Sequence, residues 1–353
     1  MKTVACLALK EGMILAEDVL SHKNDILAHA NDVINDALIA KFKRFDVLCV
    51  SIKDAEDLSE THFQKIQANA GFRLFTETYK SCISYYKYMM QDLIEHDAPL
   101  NTTTLLELYD ELLSCANTTD KLLDYLYNRI LDEDELTYAH CFNSALIAGI
   151  FASWLQFSPK ERELAILCGY FYDIGKIMLP PEIIYKNGKL TDLEYAEMQT
   201  HTIKAFHVLK KQDIPDEVLN VTLTHHEKCD GSGYPAKLKG HQLSKYAKFI
   251  SIVDSYEAMT SARTYRKPLH VYEVISSFQR DGFEKYDVSY LLPILQKLAS
   301  LKIGATVRLS DGTDAQIMML NPTQLARPII RTENGQLIDL ANMPSLAITS
   351  FLS

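Results

Sequence analysis

Six side chains within one stretch of the sequence are of types that could carry out hydrolysis together: His140, Asp173, His201, His225, His226 and Asp254. They fall near the ends or on one face of predicted helices, at long intervals, and ligands converging from several helices are how a bundle builds a metal site. Imidazole and carboxylate without thiolate suit iron, manganese or zinc in a hydrolytic role better than a structural zinc site. Hydrolysis at neutral pH needs a nucleophile and positive charge facing the oxygens of the reacting group, and bound metal ions supply both. A carboxylate has two oxygens, so an aspartate of this set can hold two ions ~3.5 to 4 Å apart around a shared hydroxide. Taken singly, each histidine is more often a surface or satisfied core residue than a ligand. Their company changes that. His225-His226-Glu227 runs into Asp230-Gly231-Ser232-Gly233-Tyr234-Pro235, and Tyr172-Asp173-Ile174-Gly175-Lys176 closes a helix of otherwise buried character.

Together with His140-Cys141-Phe142, Met198-Gln199-Thr200-His201, and Asp254 leading to Arg263-Thr264-Tyr265-Arg266-Lys267, these words resemble the HD-GYP domains over about residues 140 to 298. The resemblance implies a metal-dependent phosphodiesterase that opens cyclic di-GMP to linear pGpG, with GMP as a further product, using two divalent ions, iron or manganese. It assigns His140 and Asp254 to one ion and His201, His225 and His226 to the other, with Asp173 shared. A third ion is not expected, because Leu136 stands where some relatives place a glutamate. The namesake His-Asp pair reads Tyr172-Asp173 here. Tyr172 is then either a substitute ligand, since a bound metal can deprotonate a phenol, or a core aromatic with an ordinary hydrogen-bond partner. A second reading is a receptor or adaptor that binds the nucleotide without turnover, or docks a signalling partner through the 230–235 loop.

Around these ligands stand candidate substrate contacts. Lys176 lies three residues after Asp173, so on a continuing helix both face one side and the ammonium meets a non-bridging phosphate oxygen; Asp173 and Lys176 are the catalytic candidates. Arg263, Arg266 and Lys267 form the densest basic run of this region, and guanidinium forks suit a second phosphate; the plain alternative is a solvated helix end. In the 230–235 loop, Gly231 and Gly233 admit conformations closed to other residues, and Tyr234 either stacks on guanine or fixes the loop.

The elements that must position these groups read as mainly α. An HD-type helical bundle is expected, flanked by small β-rich modules: residues 1–70 β-rich, 71–125 a helical connector, 126–301 the bundle, and 302–353 a β-rich tail. Helical spacing is predicted from Thr76, then over 119–131, 136–155, 159–173, 191–211, 217–226, 243–261 and 286–301. Strands are predicted at 307–309, 315–319, 328–331 and 337–340 between turn dipeptides. A net charge of −10 argues against broad binding to DNA, RNA or anionic lipid, which Lys and Arg drive. Seven cysteines without a CxxC spacing suggest reduced thiols rather than a disulfide framework. No apolar run approaches a membrane span and the start lacks a cleavage site, so a cytoplasmic protein is expected, with cyclic di-GMP as its ligand and a homodimer as an assembly.

Overall fold

Apolar residues recurring every three or four positions from Phe72 onward form one long helix after another in the computed structural model of the chain. It describes residues 2–6, 9, 13, 15–20, 26–28, 32, 34, 36–45, 47, 49–52, 66, 69–128, 136–186, 188–261 and 268–352. The chain divides into two units, Met1–Lys65 and Ile66–Ser353.

In the first unit, β1 (Lys2–Ala5) pairs antiparallel with β4 (Cys49–Ile52), and β2 (Val19–Leu20) with β3 (Ile26–Ala28). Helix α1 (Asp36–Arg44) lies between β3 and β4 in the chain. Leu15, Ile34 and Phe42 are fully buried in this unit's own core.

The second unit opens with α2 (Ala70–His96), α3 (Thr102–Ala116) and α4 (Thr119–Asn128). Asn69 caps α2 by accepting from Gly71 N and Phe72 N, and Asp97 ends it in a left-handed conformation. Helix α5 (Leu136–Trp154) is apolar on nearly all sides and α6 (Pro159–Phe171) is buried over its second half, from Ala165 to Phe171, because these segments form the centre of the bundle. Then come α7 (Pro181–Ile184), α8 (Asp192–Gln199), α9 (His201–Leu209), α10 (Asp216–Thr224), α11 (Lys245–Thr260), α12 (Val271–Asp281) and α13 (Val288–Ser300). The tail is a five-stranded antiparallel sheet in the order β8-β7-β6-β5-β9, from β5 (Thr306–Leu309), β6 (Asp314–Met319), β7 (Ile329–Thr332), β8 (Leu337–Asp339) and β9 (Ile348–Phe351). Its inward residues Val307, Ile317 and Ile330 are fully buried in the same core as the helices.

The mainly α architecture with small β modules is as expected, and the differences are local. The helix predicted over 191–211 is two helices meeting at Thr200. The helix predicted from Thr76 begins at Ala70, where Asn69 supplies the cap. Helix α12 and strand β9 were not predicted. Val271, Val274 and Ile275 are β-branched and favour strands by themselves, yet with Phe278 they recur at helical spacing and form the buried face of α12. Phe351 of β9 stacks on Tyr272 of α12 with ring centroids 6.1 Å apart. No helix among the described residues is long and apolar enough to cross a membrane.

Candidate metal centre

Helix ends deliver most of the candidate ligands to one place. Helix α5 carries His140 and, one turn on, Ser144. The buried end of α6 delivers Tyr172 and Asp173, where the chain leaves the helical conformation and tightens into a 3₁₀ turn over Ile174–Met178. His201 is the first residue of α9, His225 and His226 follow the end of α10, and Asp254 lies on α11. A Cβ at Gly175 would stand 1.9 Å from the His201 carbonyl oxygen, so only glycine lets the 3₁₀ turn press on the start of α9.

The donor atoms fall into two groups that share Asp173: Asp173 with His201, His225 and His226, and Asp173 with His140 and Asp254. Asp173 Oδ1 faces His201 Nε2 at 3.2 Å and His225 Nε2 at 3.8 Å. Its Oδ2 faces His140 Nε2 at 3.2 Å and Lys176 Nζ at 2.5 Å. Asp173 is fully buried, yet among the described residues neither of its oxygens accepts a well-aligned hydrogen bond and His226 Nε2 has no partner. Native proteins rarely leave such groups unsatisfied inside, so a dication between them fits the donor set.

Main-chain carbonyls set the imidazoles. His201 Nδ1 donates to Met198 O, and His225 Nδ1 lies 3.2 Å from both Val221 O and Thr222 O, which leaves each Nε2 as a lone-pair donor toward Asp173. Burial lowers the pKa of His201, takes that of His225 down to about 4 and puts that of His226 well below its ordinary value. All three are neutral at pH 7, as ligands must be. His140 differs. Burial opposes its charge, but Glu257 first, then Asp173 and Asp254, hold its pKa well above the usual range. Burial likewise opposes ionisation of Asp173 and Asp254, and the cations around them overcome it and lower both.

Tyr172 enters this centre directly. Its hydroxyl is 2.7 Å from His140 Nε2 and 3.0 Å from Ser144 Oγ, and it donates to Asp254 Oδ1 at 3.2 Å.

Two glutamates escaped the sequence reading. Glu257, one turn past Asp254 on α11, is buried and accepts from His140 Nδ1, from Asn143 Nδ2 at 3.0 Å and from Ser261 Oγ. Tyr79 of α2 donates to Asn143 Oδ1 at 2.7 Å, which extends the chain of hydrogen bonds to the first helix of the unit. Glu227 is buried and accepts from Ala236 N at 2.6 Å and Leu238 N at 2.9 Å, tying down the 230–235 loop. A Cβ at Gly233 would stand 2.4 Å from Glu227 Cα, so the loop folds flat on the His-His-Glu segment. Tyr234 stacks on His226, centroids 4.6 Å apart and planes at 27°. Arg263, Arg266 and Lys267 lie outside the described residues.

The fold is that of a helical HD-type domain, and its clustered imidazoles and carboxylates could hold metal. Residues 125–290 match the family described as the HD domain. HD domains bind divalent metal, and both clusters could hold it. The chain is 30% identical over 235 residues to a cyclic di-GMP phosphodiesterase of Pseudomonas aeruginosa, covering 66% of this chain and 56% of that one. It is 37% identical over 202 residues to a cyclic di-GMP phosphodiesterase of Thermotoga maritima, covering 57% and 51%. It is 31% identical over 149 residues to a 3'3'-cGAMP-specific phosphodiesterase of Vibrio cholerae, covering 42% and 35%. The chain spans about half the length of the first two relatives and about a third of the last.

Proposed function

We propose that this protein is a metal-dependent phosphodiesterase that opens cyclic di-GMP to linear pGpG. The observation that carries the reading is the buried Asp173 carboxylate, with one oxygen turned to His201 and His225 and the other to His140. Two divalent ions, iron or manganese, would supply hydroxide at neutral pH and positive charge for the phosphoryl oxygens. His201, His225 and His226 would hold one ion and His140 and Asp254 the other, with Asp173 between them. Lys176 is held against Asp173 Oδ2 and keeps a proton through the reaction, since Asp173 and Asp254 raise its pKa against the effect of burial. Its ammonium is the group we assign to a non-bridging phosphate oxygen. Tyr234, on its His226 stack, and Gly233 line the approach of the base, and Arg263, Arg266 and Lys267 are assigned to the second phosphate on their sequence context. The 230–235 loop, in which Ser232 is exposed, is the surface proposed for a signalling partner.

The test is hydrolysis of cyclic di-GMP by anaerobically purified protein, with iron, manganese and zinc quantified on the same sample. Because one relative is named for 3'3'-cGAMP, that dinucleotide is assayed beside it. The expected outcome is turnover with cyclic di-GMP preferred, lost in Asp173→Ala. Metal-loaded protein that binds cyclic di-GMP without cleaving it overturns the enzyme reading.

A further inference from the structure

We infer that Tyr172 is itself a ligand, taking on the ion of the His140 side the place of the imidazole that the HD pair is named for. The inference rests on the ligand assignment proposed above and concerns one side chain of it. Ligands held ~2.0 to 2.2 Å from a single cation stand roughly 3 Å from one another. Here the Tyr172 hydroxyl is 2.7 Å from His140 Nε2 and 3.2 Å from Asp254 Oδ1, and His140 Nε2 is 3.2 Å from both Asp173 Oδ2 and Asp254 Oδ1. These four donor atoms are spaced as the corners of one coordination shell.

A phenol buried only for packing has no reason to point there. Among the described residues the hydroxyls of Tyr109, Tyr170 and Tyr272 are buried without a hydrogen-bond partner, and that of Tyr86 donates to a main-chain carbonyl, Tyr170 O, at 2.6 Å. Tyr172 alone among these five meets two candidate ligands. Its remaining contact, Ser144 Oγ at 3.0 Å, is one turn from His140 on α5, where its hydroxyl can donate to a coordinated phenolate oxygen and hold its direction. On coordination the phenol O–H breaks, the proton leaves to solvent, and an oxygen lone pair forms the bond to the ion, with no change of oxidation state. A bound dication stabilises the deprotonated form of an oxygen that it coordinates.

The experiment loads the full chain with iron alone, oxidises it with ferricyanide, and records the visible spectrum and iron content. A phenolate-to-ferric charge-transfer band is expected. Tyr172→Phe, which conserves volume, loses the band and about half of its iron, because one of the two ions loses a ligand. Tyr172→His keeps the iron and lacks the band. Iron-loaded protein with no band, or Tyr172→Phe that keeps its full iron at unchanged affinity, overturns the inference and returns Tyr172 to the core. A band in protein that does not cleave cyclic di-GMP supports the ligand while counting against the enzymatic reading, so the two failures are distinct.

Discussion

Glu257 governs His140 from outside the donor set. Its carboxylate takes the Nδ1 proton and so points Nε2 at Asp173 and Asp254, while Asn143 and Ser261 hold the carboxylate itself. Partners of this type typically tune metal affinity by ~10- to 100-fold. Glu257→Gln, which keeps shape and removes charge, is therefore expected to weaken the His140-side ion by ~10-fold or more, read by competition with a chelator, with little change in thermal melting. The six candidate ligands were legible from residue type and from the words around them. Glu257 was partly legible, since three residues after Asp254 places it on the same face of a helix. Glu227 was not: its partners, Ala236 N and Leu238 N, exist only once the loop has folded back.

Among the elements, α12 shows how a helix end can be tied to solution conditions. His270 caps it, accepting from Glu273 N on Nδ1, and its Nε2 stands 3.1 Å from Ile348 O of β9. The two bonds together need the neutral ring with Nε2 protonated, since the charged ring keeps the Nε2 donor and loses the Nδ1 acceptor. Burial is the main reason its pKa is lowered, opposed by Glu273. A folded pKa below the unfolded value means that the contribution is fully present above about pH 6.5 and is lost as pH falls through the folded pKa. His270→Ser keeps a capping oxygen but does not titrate. Between pH 7.5 and 5.5 the wild type is expected to lose up to ~1 kcal/mol relative to this variant, about the worth of one cap, read from paired thermal melts. Helix starts at capping residues such as Asn101 and Ser158 follow local chemistry and are readable from sequence, whereas the cap at Asn69 was missed. The break at Thr200 is not, because it serves to aim His201 at Asp173.

At the scale of the whole molecule, the first 65 residues and the rest have separate cores, and all candidate ligands belong to the second. A fragment of residues 66–353 is expected to retain its helical circular dichroism and the metal content of the full chain; a fragment that fails to fold would show the first unit to be needed for the second. Helices α2 to α4 share the core of the bundle and reach the centre through Tyr79, Asn143 and Glu257, so a cut after α4 is expected to cost metal as well as stability. Metal analysis of both fragments separates these outcomes.

The sequence by itself determined the helical class, the β-rich flanks and the identity of the candidate ligands, because periodicity, capping residues and donor type are local properties. Which atoms face one another was decided only by the tertiary structure. Asp173 sharing itself between two imidazole groups, Glu257 setting His140, and the Tyr172 hydroxyl sitting between His140 and Asp254 join residues as many as 117 positions apart. No local pattern encodes such distances. They follow from how α5, α6, α9, α10 and α11 pack their ends around one buried carboxylate.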